Sequence, residues 1–86
     1  MKMDANISKA MNILYHPAQQ VAEILDYPED YTYSDGYKAV IDLETANDKA
    51  LTEYSLEQKE LDEAMMLQHE YTLASAKERL EKVGLW

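Results

Sequence analysis

Chemistry near neutral pH needs a group that can give or take a proton there, and this chain offers two, His16 and His69. It has no cysteine, so a thiolate nucleophile, a disulfide and a Cys-based zinc site are all ruled out. His69 has Asp62 and Glu70 near it in sequence, which raises the question of a metal site. Carboxylate-metal sites on helices place a Glu three residues before the His, and that position here is Met66. His69 therefore reads as a histidine at the edge of a core with a hydrogen-bonded neighbour. His16, directly before Pro17, reads as a helix-boundary residue. A calcium loop is the next test. With Gly36 at the sixth loop position, Asp35 and Asp42 fall at positions five and twelve, but Tyr31 and Tyr33 occupy one and three. Neither supplies the carboxylate those positions need. Two glycines, Gly36 and Gly84, cannot build a phosphate-cradling loop, and no serine forms a recognisable constellation with a histidine. The expectation is a protein with no catalytic residues, no metal and no cofactor.

What the chain does carry in quantity is carboxylate, unevenly placed. Thirteen lie between Glu23 and Glu63, answered only by Lys38, Lys49 and Lys59. The balance is +1 over residues 1–22, −10 over 23–63 and zero over 64–86, so the net −9 belongs to the middle. Such a field repels nucleic acid and anionic membranes and attracts basic surfaces. The aromatics suit that surface: seven Tyr, one Trp and no Phe, and a tyrosine ring can bury while its hydroxyl stays wet. No stretch has the apolar run of a signal peptide or a bilayer span, so a cytoplasmic protein is expected.

These groups must be held by helices. Eighty-six residues, with two Gly and two Pro, predict a single all-α domain over 1–86: a small bundle of about four helices with a long C-terminal helix. Met3, Ile7, Ala10, Met11 and Leu14 share one helical face, with Asp4 or Asn6 as cap. Pro17 opens a second helix, with Ala18, Val21, Ala22 and Leu25 inward and Ile24 at the edge; Tyr27-Pro28 ends it. Residues 28–36 read as the one loop. A third helix starts at Thr32 or Ser34, where Thr32 and Asp35 match an acidic capping box. Its stripe is Tyr37, Val40, Leu43, Asn47, Ala50, Leu51 and Tyr54, with Glu44 and Asn47 intruding on it. Ser55 and Gln58 match a second box. A break there is preferred over one helix from 37 to 83, about 70 Å long, because one core in so short a chain requires folding back.

The last helix carries two apolar faces. Leu61, Met65, Thr72, Leu73, Ala76, Leu80 and Val83 form the main one, and Ala64, Leu67, Tyr71 and Ala74 a shorter stripe nearly opposite. The second stripe is either an oligomer interface or the far side of a helix enclosed by the other three. Lys77, Arg79 and Lys82 suit the helix C-terminus, and Gly84 is placed as a left-handed stop with Leu85 touching Leu80.

Three functional readings follow. In the first, the chain is an acidic interaction module that binds, and inhibits or occludes, a basic surface of a partner protein. That surface includes the nucleic-acid site of an enzyme, the DNA-mimic manner of anti-restriction and other phage-encoded inhibitors. The candidate contact residues are Glu29, Asp30, Tyr31, Tyr33, Asp35, Asp42 and Asp48, in or beside the loop. In the second, it is a homo-oligomeric, homodimeric at its simplest, structural protein assembled through Ala64, Leu67, Tyr71 and Ala74. In the third it is a regulator: Ala18-Gln19-Gln20-Val21-Ala22-Glu23-Ile24-Leu25 resembles the first helix of a helix-turn-helix pair. Tyr27-Pro28-Glu29-Asp30 follows, and neither Lys nor Arg occurs between Lys9 and Lys38, which starves phosphate contacts of charge. No direct nucleic-acid binding is expected.

Overall fold

A computed structural model describes residues 5–86, and over them the chain is a bundle of four α-helices without strands. Helix α1 spans Ala5–Asp26, α2 Tyr33–Tyr54, α3 Gln58–His69 and α4 Leu73–Lys82; a short 3-10 turn, Pro28–Asp30, joins α1 to α2. Met3 and the capping candidate Asp4 lie outside the described residues, and Asn6 is inside the first turn of α1.

The expected boundary at His16-Pro17 does not exist, because α1 runs straight through it. Pro17 removes the hydrogen bond to the Ile13 carbonyl and crowds it, a cost of about 3 kcal/mol. Against that stands an unbroken buried stripe of Ile7, Ala10, Met11, Leu14, Ala18, Val21 and Ile24. Each large member is worth about 1.5–3 kcal/mol of burial, so keeping the stripe in one register outweighs the proline. In the second half of α1, Ile24 is fully buried and Leu25 only partly, the reverse of the expected order. The octet resembling a helix-turn-helix element is thus the C-terminal part of a longer helix rather than a helix of its own.

Thr32 caps α2 as expected. Its Oγ1 accepts from the Asp35 N–H at 3.2 Å, and the Asp35 carboxylate accepts from the Thr32 N–H at 2.9 Å. Ser34, Asp35 and Gly36 therefore belong to α2, and the expected nine-residue loop shrinks to the 3-10 turn with Tyr31 and Thr32. A break does separate α2 from α3, at Ser55 with φ 52° and the Leu56 N–H on the Leu51 carbonyl at 3.0 Å. The expected Ser55–Gln58 box is not formed. Glu57 is the N-cap residue, with the Glu60 carboxylate accepting its N–H at 3.3 Å. Gln58 instead exchanges two amide hydrogen bonds with Asn47, at 2.8 and 3.0 Å. That exchange explains how Asn47, 4 % exposed, sits in an apolar stripe.

The long C-terminal helix is also a correction. It breaks at Glu70, whose φ is 64° and whose N–H bonds the Met66 carbonyl at 3.2 Å, a left-handed stop without glycine. Thr72 then caps α4. Its N–H donates to Ser75 Oγ at 2.7 Å and its Oγ1 accepts from the Ser75 N–H at 3.3 Å. The break turns α4 back onto α2, so that α1 packs chiefly on α2, α3 on α1 and α4 on α2. Leu14, Val21, Ile24, Val40, Leu43, Leu61 and Leu80 fill the centre, while Val83, assigned to the inner face, is largely exposed. The end of α4 behaves as expected. Gly84 has φ 79°, its N–H bonds the Glu81 carbonyl at 3.1 Å, and the Leu85 N–H bonds the Leu80 carbonyl at 2.9 Å. That is a Schellman pair. Among the described residues, no helix is long and apolar enough to cross a membrane.

Candidate functional site

Packing α1 on α2 leaves an open groove between them, about 440 Å³ in volume. His16 and Gln20 line it from α1, Tyr31 from the connection, and Asp35, Lys38 and Asp42 from α2. Three of the seven candidate contact residues, Tyr31, Asp35 and Asp42, are thus brought together. Asp35 and Asp42 are two turns apart on one helix, and Tyr31 reaches them because Thr32 ends the connection so tightly. The nearby Glu23 carboxylate, as a hydrogen-bond acceptor for the neutral phenol, is the largest cause that holds the Tyr31 pKa above the usual 10.0; burial and the charges of Glu23, Asp30 and Asp35 act the same way, since ionisation would add a further negative charge. Glu29 and Asp30 stand next to the groove in the 3-10 turn, and Tyr33 is exposed at the start of α2. Asp48 is not part of this site: six residues beyond Asp42, it points about 120° away around the α2 axis.

The acid is folded but not neutralised. Two ion pairs join described residues, Lys77 to Glu44 at 2.6 Å and Lys82 to Glu78 at 3.9 Å, so among the described residues Glu44 is the only one of the thirteen central carboxylates with a cationic partner. Lys38, the groove's one cation, makes no ion pair among the described residues. Sequence reasoning missed His16, Gln20 and Lys38. The spacing of Asp35, Lys38 and Asp42 at i, i+3 and i+7 was visible, but the pairing of α1 with that face was not.

Catalytic organisation is weak in the same groove. Its aliphatic hydroxyl, Thr45, donates to the Ile41 carbonyl at 2.9 Å, and among the described residues no side chain hydrogen-bonds His16 to orient it. His69 lies elsewhere, between Tyr15 and Tyr71, with ring centroids 6.1 Å away on both sides. Its Nε2 is buried with no hydrogen-bond partner, contrary to the expected bonded neighbour, and burial lowers its pKa below 6.5. Among the described residues no group of three or more His, Asp and Glu could hold a metal ion.

The four-residue stripe of the expected oligomer interface is divided by the break at Glu70. Ala64 and Tyr71 are core residues, Tyr71 2 % exposed and with its hydroxyl on the Ala18 carbonyl. Leu67 on α3 and Ala74 on α4 are exposed. A 3.6-residue period cannot be carried across a left-handed residue, which is why one stripe became two.

No protein-family model matches this chain, and neither a curated protein nor a solved structure shows significant similarity to it.

Proposed function

We propose that this protein is a non-enzymatic interaction module that binds a basic surface of a partner protein and occludes it. The reading takes the protein to act in the cytoplasm, without a cofactor, a membrane or direct contact to nucleic acid. The observation that supports it is the set of carboxylates without an ion pair among the described residues on α1, the 3-10 turn and α2, of which Asp35 and Asp42 line the groove beside Tyr31. Charge held on a preformed scaffold costs little ordering entropy when a partner docks, and it steers a basic partner in at long range. Tyr31 and Tyr33 add contact area beside that charge, the residue type that dominates many recognition surfaces. A partner whose basic surface normally holds nucleic acid is the narrower form of this proposal, with helix carboxylates standing where phosphates would.

The test begins with affinity capture from the native host and identification of the bound protein. Asp35→Asn with Asp42→Asn, and Glu29→Gln with Asp30→Asn, should slow association and flatten its salt dependence. Tyr31→Ala should mainly speed dissociation. Paired neutralisations that associate as fast as wild type at low salt would reduce the acid to a solvated surface.

A further inference from the structure

Residues 71–86 hold to the molecule through α1 and α2 rather than through the helix that precedes them. The Tyr71 hydroxyl donates to the Ala18 carbonyl, Lys77 pairs with Glu44 at 2.6 Å, and Leu85 lies against Gly36. The Trp86 ring stacks on Tyr37, with centroids 5.6 Å apart and an interplanar angle of 19°. Ala76 and Leu80 are fully buried in the core. Toward α3 the packing is open, and a groove of about 360 Å³ runs between Gln58 and Asp62 on one side and Leu73, Ala74 and Lys77 on the other. The joint itself turns at Glu70, an exposed residue with φ 64°. The Arg79 guanidinium on the Glu70 carbonyl, at 3.0 Å, and the His69 ring, 6.1 Å from that of Tyr71, bridge it.

We infer that residues 71–86 exchange between two copies of this chain at high concentration, each copy's α4 docking on the α1–α2 pair of the other with Glu70 as the hinge. Two observations select this arrangement. The face that receives α4 is already matched to it, so a second copy supplies the same Ala18 carbonyl, Glu44, Gly36 and Tyr37 and no new complementarity is needed. A reciprocal exchange of this kind closes at a dimer. The second observation is the hinge, which is set against its own residue type. A Cβ makes the left-handed region unfavourable, and no glycine or proline lies between Gly36 and Gly84 to favour a turn at Glu70. With Glu70 in the right-handed region, α3 continues and carries α4 away from its own α2, which relieves that penalty once in each copy. Charge opposes the exchange. Each copy carries −9, so association belongs to high protein concentration and is strengthened by salt. The groove between α1 and α2 stays within one chain throughout, so an exchanged dimer presents it twice.

Sedimentation at protein concentrations up to about 1 mM, at low salt and at about 0.5 M salt, tests this, with thermal melts reporting the fold of each variant. Wild type should convert from monomer to dimer, more completely at high salt. Glu70→Gly removes the penalty of the closed turn and should weaken the dimer, whereas Glu70→Ile aggravates it and should strengthen the dimer. Each should shift the dissociation constant by roughly tenfold, since two hinges count per dimer. Glu44→Lys and Lys77→Glu supply the second arm. Each alone sets like charges against each other between α2 and α4, whether the chain is closed or exchanged with its own kind. Mixed, the two variants restore both Lys–Glu contacts only in an exchanged heterodimer, so the mixture should associate more tightly than either variant alone. A surface dimer with α4 in place gains nothing from mixing. A wild type that is monomeric at the highest concentration in both salts overturns the inference. So does a mixture that associates no better than its components, or hinge variants that fail to shift the equilibrium in opposite directions. Tyr31, Asp35 and Asp42 are untouched throughout, so a variant that loses exchange but still binds a basic partner separates this inference from the proposed function.

Discussion

The Tyr71 hydroxyl donates to the Ala18 backbone carbonyl, tying the joint between α3 and α4 to the middle of α1. The ring is buried, with the Arg79 guanidinium 5.9 Å from its centroid, and burial pushes the phenol up to about 12. The folded value lies above the ordinary 10.0, so the native state holds the proton longer than the unfolded chain does. Its contribution is complete below pH 10 and is lost as pH rises toward about 12. Tyr71→Phe removes the hydrogen bond and should cost about 1 kcal/mol at neutral pH. It also removes the buried ionisable group, so wild type and variant should converge as the solution is made alkaline. Melting temperatures from pH 7 upward provide the check, and a gap that stays constant would refute this account.

Gly36 and Gly84 should respond differently to alanine. Gly36 lies in the first turn of α2, where alanine normally gains about 1 kcal/mol over glycine. Here a Cβ would collide with the Leu85 backbone carbonyl, so Gly36→Ala should instead destabilise by about 1–3 kcal/mol. Gly84 has open space around it but a φ of 79°, and its alanine variant should lose about 1 kcal/mol to backbone strain alone. Removing Leu85 and Trp86 separates the two causes. In that shortened chain Gly36→Ala should become neutral or stabilising, as read by denaturant midpoints. A Gly36→Ala variant more stable than wild type in the full chain would disprove the close approach.

His69 faces Tyr15 from α1 and Tyr71 from the joint between α3 and α4, with the Arg79 guanidinium over the Tyr71 ring and no carboxylate bonded to its own buried Nε2. Its folded pKa is depressed by burial below 6.5, so between the two values the unfolded chain binds the proton that the folded chain refuses. The linked stability is present above pH 6.5 and drains away as pH falls below it. His69→Phe should abolish this component while keeping the ring contacts. The melting temperature difference between variant and wild type should therefore grow in favour of the variant from pH 7 to about 5.5. Equal acid sensitivity of both proteins would show that His69 takes its proton without strain.

Local signals with a complete physical mechanism were readable in the sequence. Thr32 with Asp35, and Gly84 with Leu85, each specify a termination whose hydrogen bonds involve only neighbouring residues. The α1 stripe was readable too, but the weight given to Pro17 was not, because only the summed burial along the whole stripe decides against a break. The turn at Glu70 was hidden for the opposite reason. It has no glycine or proline, and Ser75 replaces the Glu or Gln that marks a capping box. Extending one helical period across it joined core residues Ala64 and Tyr71 to surface residues Leu67 and Ala74. For the candidate site, the α2 side was legible in the spacing of Asp35 and Asp42, whereas His16 and Gln20 enter only through tertiary pairing with α1.

The short α4 has a consequence for how the molecule comes apart. Ten residues are too few to hold a helix in water alone, and α4 relies mainly on α2, on the Lys77–Glu44 pair and on Leu85 against Gly36. It is therefore expected to be the first cooperative unit to open in native-state hydrogen exchange, with amide protection well below that of α1 and α2. The 22-residue helices α1 and α2 pack on each other without it. Loosening at the C-terminal end would expose Ala76 and Leu80 while leaving the paired helices and their line of acid in place. The element most prone to fraying is thus separate from the one that carries the charge.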